Sequence, residues 1–160
     1  HTKNVHMAAG LDVYVPTANF NEMDFVNVSR GYWTLEPVFG VTYVSDSGLD
    51  LSAKLMYDYN LENDDTDYKS GQEFHADYTV AQKVGPCWVG VGGYYYQQVT
   101  DDKASDPTVM EMGKGMAIAV GPQVKFDYKK ISLIAKYQTE VDTENRPEGD
   151  KFWLNLVMAF

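Results

Sequence analysis

The histidine, aspartate and serine residues in the middle of the chain are the first candidates for chemistry. His75 and Asp77 stand two residues apart, and Ser52 could complete a Ser–His–Asp set. On an extended strand, residues at this spacing share a face and lie about 7 Å apart. The sequence contains no nucleophile elbow that would position the serine. We therefore predict a polar structural network instead of an enzyme, with no catalytic residue and no cofactor.

Charged and tyrosine side chains recur at every second position of several segments, which predicts that they point to the same side of a sheet. Tyr94, Tyr95 and Tyr96 are consecutive, so they must alternate between the two faces and at least one points inward. An inward tyrosine could stack on an aromatic solute or could simply fill space. The residues predicted to line the interior are Lys54, Asp58, Glu73, His75, Asp77, Tyr94, Tyr96, Lys125, Lys136 and Glu140.

The acidic segment 62–67 is a weak candidate for cation binding. It offers oxygen ligands of the kind that calcium prefers, but it lacks the glycine and the distal glutamate of an EF-hand loop. These ligands are Glu62, Asn63, Asp64, Asp65 and Asp67. The single cysteine, Cys87, excludes an intramolecular disulfide and a CxxC-type zinc site. We predict no metal site, and we leave divalent cations at the acidic loops as an alternative to loops that are simply solvated.

The elements that position these residues have a period of two. In segment 49–62, the odd positions are apolar or aromatic and the even positions are mostly polar. A helix would mix the two sets on each face, whereas a strand separates them. Pro37 and Pro122 each remove a ladder hydrogen bond, so we expect a bulge or a local break at each. The same pattern predicts eight strands, at residues 5–15, 33–43, 49–62, 73–83, 88–99, 116–128, 131–141 and 151–160.

The connections between these strands alternate in length, as in outer-membrane barrels, which have long extracellular loops and short periplasmic turns. The final strand ends at Phe160 with apolar residues at alternate positions, and it looks like a signal for outer-membrane insertion. The sequence therefore predicts an all-β fold, an antiparallel up-and-down transmembrane β-barrel in one domain over residues 1–160. The long connections are 17–32, 60–72, 100–112 and 142–150, and the short ones are 45–48, 84–87 and 129–130.

The negative charge of the chain lies in its long connections. Lys and Arg number 13 against 23 Asp and Glu, and the four long loops carry the whole net charge of −10. An acidic rim of this kind disfavours anionic solutes, and nucleic acid is not an expected partner. No apolar run approaches the roughly 18 residues of a transmembrane helix, but a transmembrane strand needs only about 9–11 residues.

Two sets of outward-facing residues are predicted to meet the membrane. Aromatic residues near the strand ends predict the girdles found at membrane interfaces, namely Trp33, Tyr43, Tyr57, Tyr59, Tyr128, Tyr137 and Phe160. Apolar residues between them are predicted to face lipid, namely Leu51, Leu55, Val120, Leu133, Leu154 and Leu156. We therefore expect the bacterial outer membrane as the location, with lipid and lipopolysaccharide as partners.

Several long motifs resemble those of one family. Residues 65–78 (DTDYKSGQEFHADY), 90–102 (GVGGYYYQQVTDD), 121–128 (GPQVKFDY) and 145–154 (NRPEGDKFWL) are similar to the MetA-pathway phenol-degradation family. The resemblance implies an outer-membrane transport protein for small hydrophobic or aromatic compounds, and it implies no catalytic residues. Chains of that family are longer at the N-terminal side. The resemblance therefore implies that residues 1–160 form the C-terminal part of a barrel of about twelve strands.

Three functions remain open at this point. The first is an outer-membrane channel for hydrophobic compounds. The second is a structural outer-membrane barrel with a plugged lumen, because the interior of an eight-stranded barrel is only wide enough for side chains. The third is a soluble lipocalin-like barrel that binds a ligand, in which the interior is apolar and the outside polar. The transported solute and the oligomeric state do not follow from the sequence.

Overall fold

Ten β-strands make up the part of the chain that the structure describes. The structure is a computed structural model, and it describes residues 2–18, 29–104 and 113–158. None of these ranges contains a helix of the length and apolar character required to cross a bilayer. The strands are β1 (Val5–Tyr14), β2 (Thr34–Val44), β3 (Leu49–Asn60), β4 (Tyr68–Lys69), β5 (Glu73–Val84), β6 (Cys87–Gln98), β7 (Lys103–Ala104), β8 (Met116–Tyr128), β9 (Ile131–Glu144) and β10 (Asp150–Met158).

Eight of these strands form one antiparallel sheet in the order β1-β2-β3-β5-β6-β8-β9-β10. Each strand pairs with the next strand of the same sheet along the chain, so the predicted all-β, up-and-down fold is confirmed. The sheet curls into an open half-barrel. Within the described ranges, no ladder joins β1 to β10.

The three short connections are tight turns that contain a residue with positive φ. Gly48 has φ 83°, Gly85 has φ 60° and Lys129 has φ 55°. Tight hairpin turns use this region because its backbone twist matches the right-handed twist of the flanking strands. The glycines adopt it without the steric cost that a Cβ brings. These three turns lie at the same end of the sheet, which we call the short-turn end. The long loops lie at the opposite end, which we call the loop end.

Three long loops contain more regular structure than the sequence indicates. Strands β4 and β7 pair with each other, Tyr68 opposite Ala104 and Lys69 opposite Lys103. Strand β9 runs to Glu144 and so extends into the segment predicted as a loop. A two-residue strand is too short to show a period of two, so alternation alone does not detect such a pair.

Pro37 and Pro122 each lie where a neighbouring ladder is interrupted, as predicted. Between β2 and β3, pairing stops at Leu35 and resumes at Val38 in the same register. Between β8 and β9, pairing stops at Val120 and resumes at Gln123. The register shift of the β8–β9 ladder lies between Ile118 and Ala119. The bulge is therefore on the N-terminal side of Pro122 and not at the proline itself.

Large apolar side chains cover the convex face of the sheet and stay exposed. Leu154 and Leu156 are 63% and 61% exposed, and Leu51, Leu55 and Leu133 are exposed as well. Val120 is half-buried on the same face. This arrangement agrees with the outward parity predicted for these six residues.

The buried residues of the described chain are mostly polar. The buried apolar residues are Met56, Ala81, Ala117 and Ala119. The buried polar residues are Thr34, Glu36, Asp58, Asn60, Asn63, Gln72, Gln138 and Glu140. Soluble domains bury apolar side chains and seldom bury ionisable ones. The sheet is therefore inverted, with its polar groups inside the curl and its apolar groups outside.

The aromatic residues predicted to form girdles lie on the convex face at its two ends. Tyr43 and Tyr128 are at the short-turn end, whereas Trp33, Tyr57, Tyr59 and Tyr137 are towards the loop end. All six are exposed. The seventh predicted member, Phe160, lies outside the described residues.

Gly93 allows two strands to approach closely on the convex face. A Cβ at this position would collide with the backbone carbonyl of Ala119. Tyr78 is the cross-strand partner of Gly93, and its hydroxyl donates a hydrogen bond of 3.0 Å to the same carbonyl of Ala119. The tyrosine ring thus covers the gap left by the glycine, a pairing that stabilises glycine positions in sheets.

Candidate functional site in the concave face

A cavity of about 1320 Å³ occupies the concave side of the sheet. Of the ten residues predicted to line the interior, seven line this cavity: Lys54, Glu73, His75, Asp77, Tyr94, Tyr96 and Lys136. The other three, Asp58, Lys125 and Glu140, also point to the concave side but are engaged with neighbouring side chains. The cavity wall is thus a mixture of charged and aromatic groups.

Tyr94 reaches across one strand to contact a buried carboxylate. In the register, Tyr94 of β6 lies opposite Ala119 of β8, which lies opposite Glu140 of β9. Because Ala119 has only a methyl group, the tyrosine side chain can extend over it. The Tyr94 hydroxyl donates a hydrogen bond to Glu140 Oε1. Glu140 Oε2 accepts a second hydrogen bond of 2.8 Å from the backbone N–H of Gly149.

Tyr96 extends in the opposite direction, towards β5. Its hydroxyl donates a hydrogen bond of 3.0 Å to Glu73 Oε1. Its ring contacts the ring of His75 edge-on, with centroids 5.0 Å apart. The two inward tyrosines therefore connect the middle of the sheet to both sides of the curl. Tyr95, between them, faces the convex side, where its ring lies 6.3 Å from that of Phe74.

Two cations lie against the faces of the inward tyrosine rings. Lys151 Nζ is 4.2 Å from the ring centroid of Tyr94, and Arg146 Cζ is 4.8 Å from that of Tyr96. Lys151 also donates a hydrogen bond of 2.7 Å to the Tyr94 hydroxyl. Both cations lie near Glu140, with Arg146 at 3.5 Å and Lys151 at 3.8 Å from Oε1. The group formed by Tyr94, Glu140, Arg146 and Lys151, which we call the Glu140 network, is a connected set of charge-assisted contacts.

His75 lies between two carboxylates on adjacent strands. Its Nε2 atom is 3.2 Å from Asp58 Oδ2 and 3.5 Å from Glu73 Oε2. Asp58 lies directly opposite Glu73 in the β3–β5 register, and His75 lies two pairs further on, opposite Met56. The three side chains meet because Asp58, Glu73 and His75 share the concave face of two neighbouring strands.

Lys125 lies at the short-turn end, away from these groups. Its ammonium is 3.3 Å from Asp127 and 5.8 Å from the ring centroid of Trp88. Asp127 also accepts hydrogen bonds from Trp88 Nε1 at 3.0 Å and from Ser132 at 2.6 Å. These contacts connect β6, β8 and β9 next to their turns.

The structure does not assemble the Ser–His–Asp set considered from the sequence. Ser52 donates a hydrogen bond of 2.6 Å to Asp50 and lies 2.9 Å from the Thr42 hydroxyl. His75 contacts Asp58 and Glu73 instead of Asp77. Asp77 pairs across the strands with Lys54 and Tyr94 in the register.

A polar cap at the loop end was not predicted from the sequence. Asn60 is fully buried; its side chain accepts a hydrogen bond of 2.7 Å from Thr34 and donates one of 2.7 Å to the carbonyl of Gly71. Gln72 closes the same loop with hydrogen bonds of 2.8 and 3.1 Å to the backbone of Asn60. The only sequence signal was a pair of amide side chains at the two ends of the loop, and such residues are equally common in solvated loops.

The neighbouring loop completes this cap. Asp102 accepts hydrogen bonds of 2.7 Å from the Gly71 N–H and 2.8 Å from Gln98. Burial, together with a hydrogen bond to Asp102, raises the pKa of the Tyr68 hydroxyl above its ordinary value. The Tyr68 hydroxyl therefore stays neutral, and its hydrogen bond to Asp102 links β4 to the residue that precedes β7.

The acidic segment 62–67 forms a turn around the side-chain amide of Asn63. Asn63 is buried, and its side chain accepts a hydrogen bond of 2.9 Å from the Asp65 N–H. Glu62, Asp64, Asp65 and Asp67 are exposed. The binding of divalent cations by these loops stays a prediction.

A comparison with family models identifies the relationship suggested by the motifs. The model described as "Putative MetA-pathway of phenol degradation" matches residues 1–156, which is essentially the whole chain. The chain belongs to this family. No curated protein and no solved structure gives a significant match. Family membership, the inverted half-barrel and its polar cavity are thus the features of this chain that bear on its function.

Proposed function

We propose that the protein is an outer-membrane channel that takes up small hydrophobic or aromatic compounds. The observation that carries the proposal is the inverted sheet, with exposed apolar side chains on its convex face and a polar cavity of about 1320 Å³ on its concave face. Lipid tails solvate an apolar outer face, and a polar inner face is typical of barrels that enclose an aqueous path. Family membership adds the connection with phenol degradation.

The chemistry of the cavity supports an aromatic solute with a hydroxyl group. Glu73 and Glu140 already accept hydrogen bonds from the phenolic hydroxyls of Tyr96 and Tyr94. A phenolic solute offers the same O–H donor on the same kind of ring, so it can use acceptors of this type. The acidic rim repels anions but leaves a neutral phenol unaffected. Selection by such a channel would therefore favour uncharged aromatic compounds.

The two alternative functions differ in what they require of the concave face. A lipocalin-like barrel requires an apolar interior and a polar exterior, and the inverted sheet argues against it. A structural barrel requires an interior blocked by side chains. The side chains of the Glu140 network contact one another over the concave face, and this arrangement favours a blocked interior. Only a measurement of uptake separates the channel from the plugged barrel.

The test is uptake of a limiting aromatic substrate by a strain that lacks the gene, complemented with single variants. Tyr96→Ala and Tyr94→Ala remove the rings from the cavity, and we expect each to lower the initial rate of uptake several-fold. Tyr95→Ala is the matched control, because Tyr95 is adjacent in sequence but faces the convex side. Tyr96→Phe keeps the ring and separates stacking from hydrogen bonding. Unchanged uptake in the deletion strain, across several hydrophobic substrates, would favour the plugged structural barrel.

A further inference from the structure

The cluster around His75 has the composition of a metal site. Asp58, Glu73 and His75 each present one ligating atom, and these atoms all lie within 4.8 Å of one another. They come from neighbouring strands in fixed register, so the ladder of β3 and β5 holds them together. A ladder is a more rigid support than a loop, and rigid supports are what metal sites require.

Two of the three distances between the ligand atoms match those around a tetrahedral metal ion. In a tetrahedral site with metal–ligand bonds of about 2.1 Å, two ligand atoms are about 3.4 Å apart. The distance from His75 Nε2 is 3.2 Å to Asp58 Oδ2 and 3.5 Å to Glu73 Oε2. Both values are close to the edge of such a tetrahedron.

Two of the polar atoms in the cluster have no hydrogen-bond partner in the described structure. Asp58 Oδ1 and His75 Nε2 are both buried without one, although Nε2 is close to two carboxylates. The side chain of Asp58 is only 8% exposed. A buried carboxylate is costly unless its charge is compensated and its oxygens are paired. The unpartnered Asp58 Oδ1, beside a His75 Nε2 atom that faces two carboxylates, therefore points to a cation that binds among them.

The groups around the cluster orient its members as metal sites require. Tyr96 donates to Glu73 Oε1, which leaves Oε2 directed at His75. Its ring also packs edge-on against the imidazole and fixes the orientation of that ring. Hydrogen bonds to the far side of a ligand orient it and strengthen metal binding. The tyrosine thus acts on both the carboxylate and the imidazole.

A third carboxylate and two cations complete the surroundings. The carboxyl group of Glu36, which is buried, adjoins that of Asp58. Two carboxylates can share such a contact only through a proton or a cation. Arg30 interacts electrostatically with Glu73 and Asp58 from the loop end, and Lys54 does so with Glu36. Three carboxylates near two permanent cations leave one negative charge, which a bound metal ion would compensate.

We propose that Asp58, Glu73 and His75 bind a divalent transition-metal ion, with Glu36 or water as the fourth ligand. One imidazole nitrogen with carboxylate oxygens suits Zn²⁺ or Mn²⁺, whereas Ca²⁺ prefers oxygen ligands alone. The ion would link β2, β3 and β5 inside the curl. The proposal does not depend on transport, because it concerns binding by the folded chain.

The test is calorimetric titration of Zn²⁺ into the detergent-folded chain without an affinity tag. We expect one Zn²⁺ per chain and weaker binding of Ca²⁺. Asp58→Asn and His75→Gln should each lower the affinity for Zn²⁺ at least tenfold. Asp77→Asn is the matched control, because Asp77 shares the strand and the face of His75 but lies outside the cluster, and its affinity should equal that of the unchanged chain.

A second readout separates the ligands from the fold. Co²⁺ bound to a nitrogen ligand gives visible absorption bands, and His75→Gln should change them while far-UV circular dichroism stays the same. Tyr96→Phe retains all the ligands, and we expect it to lower the affinity about tenfold by releasing Glu73. Absence of Zn²⁺ binding, full binding by the His75→Gln variant, or loss of binding on changing Asp64 and Asp65 instead would each overturn the proposal.

Discussion

Among the described residues, Glu140 is the carboxylate whose removal should disturb the largest number of contacts. It is 4% exposed and contacts the Tyr94 hydroxyl, the Gly149 N–H and two cations. Without it, Lys151 and Arg146 face each other across the rings of Tyr94 and Tyr96 with less compensation. A single side chain thus holds β6, β9 and the loop 145–149 together.

We predict that Glu140→Ala lowers the free energy of unfolding by about 3 kcal/mol, because it leaves the half-buried Arg146 and Lys151 uncompensated and removes the acceptor of two hydrogen bonds. The measurement is urea unfolding of the detergent-folded protein. Asp101→Ala is the control, since Asp101 pairs with Lys114 at 3.5 Å on the exposed surface, where such pairs contribute about 0–1 kcal/mol. Equal effects of the two substitutions would show that the Glu140 network does not stabilise the fold.

The side chains of the site could be predicted from the sequence only as far as their face. For each of Asp58, His75 and Tyr96, alternation predicts which face of its own strand the side chain lies on, without any knowledge of register. Which residues touch depends on cross-strand pairing, and this follows from turn lengths to within a residue or two. A shift of that size would remove the contact between His75 and Asp58. The cluster therefore became visible only in three dimensions.

At the scale of the strand, the two faces of β10 permit a direct test of orientation. Leu154 is 63% exposed on the convex face, and Asn155, its neighbour, lines the cavity. We predict that Leu154→Arg costs roughly 2–4 kcal/mol in a bilayer, because an arginine at the midplane must leave water. Asn155→Arg is the control and should cost much less, since the polar interior can accommodate its charge.

Folding of both variants into lipid vesicles, followed by the difference in migration between heated and unheated samples, gives the measurement. Equal folding of the two variants would contradict a lipid-facing position for Leu154. The comparison uses adjacent residues, so strand propensity and position along the sheet are nearly the same for both.

The eight main strands could be predicted because each is long enough for alternation to stand out. Nine or more residues with a period of two leave little room for a helix, and the short turns mark the ends. The small β4–β7 sheet could not, because its pairing depends on Tyr68 and Asp102 meeting across two loops. The bulge near Ile118 could not be predicted from Pro122, because its extra residue is Val141 of the partner strand β9 and not a residue of β8.

For the molecule as a whole, the two edges of the sheet determine how it can exist in a bilayer. Strands β1 and β10 each have a row of backbone groups without a ladder partner among the described residues. Hydrocarbon offers no hydrogen bonds, so in a bilayer these backbone groups must form hydrogen bonds with other protein groups. We predict that, in vesicles, amide exchange in β1 and β10 slows to the level of β6.

Hydrogen exchange followed by mass spectrometry compares these strands in one experiment. Strand β6 is the internal reference, because it is paired on both sides by β5 and β8. Fast exchange at both edges in the vesicle-bound protein would contradict a membrane-spanning sheet.

The strictly sequential pairing of the sheet also has an evolutionary consequence. Because every ladder of the main sheet joins strands that follow each other along the chain, duplication of one hairpin adds two strands without rethreading any other segment. The added hairpin leaves the His75 cluster and the Glu140 network intact, since each lies within a few adjacent strands. Barrel width grows with strand number. Gene duplication could thus change the diameter of the cavity while its chemistry is inherited unchanged.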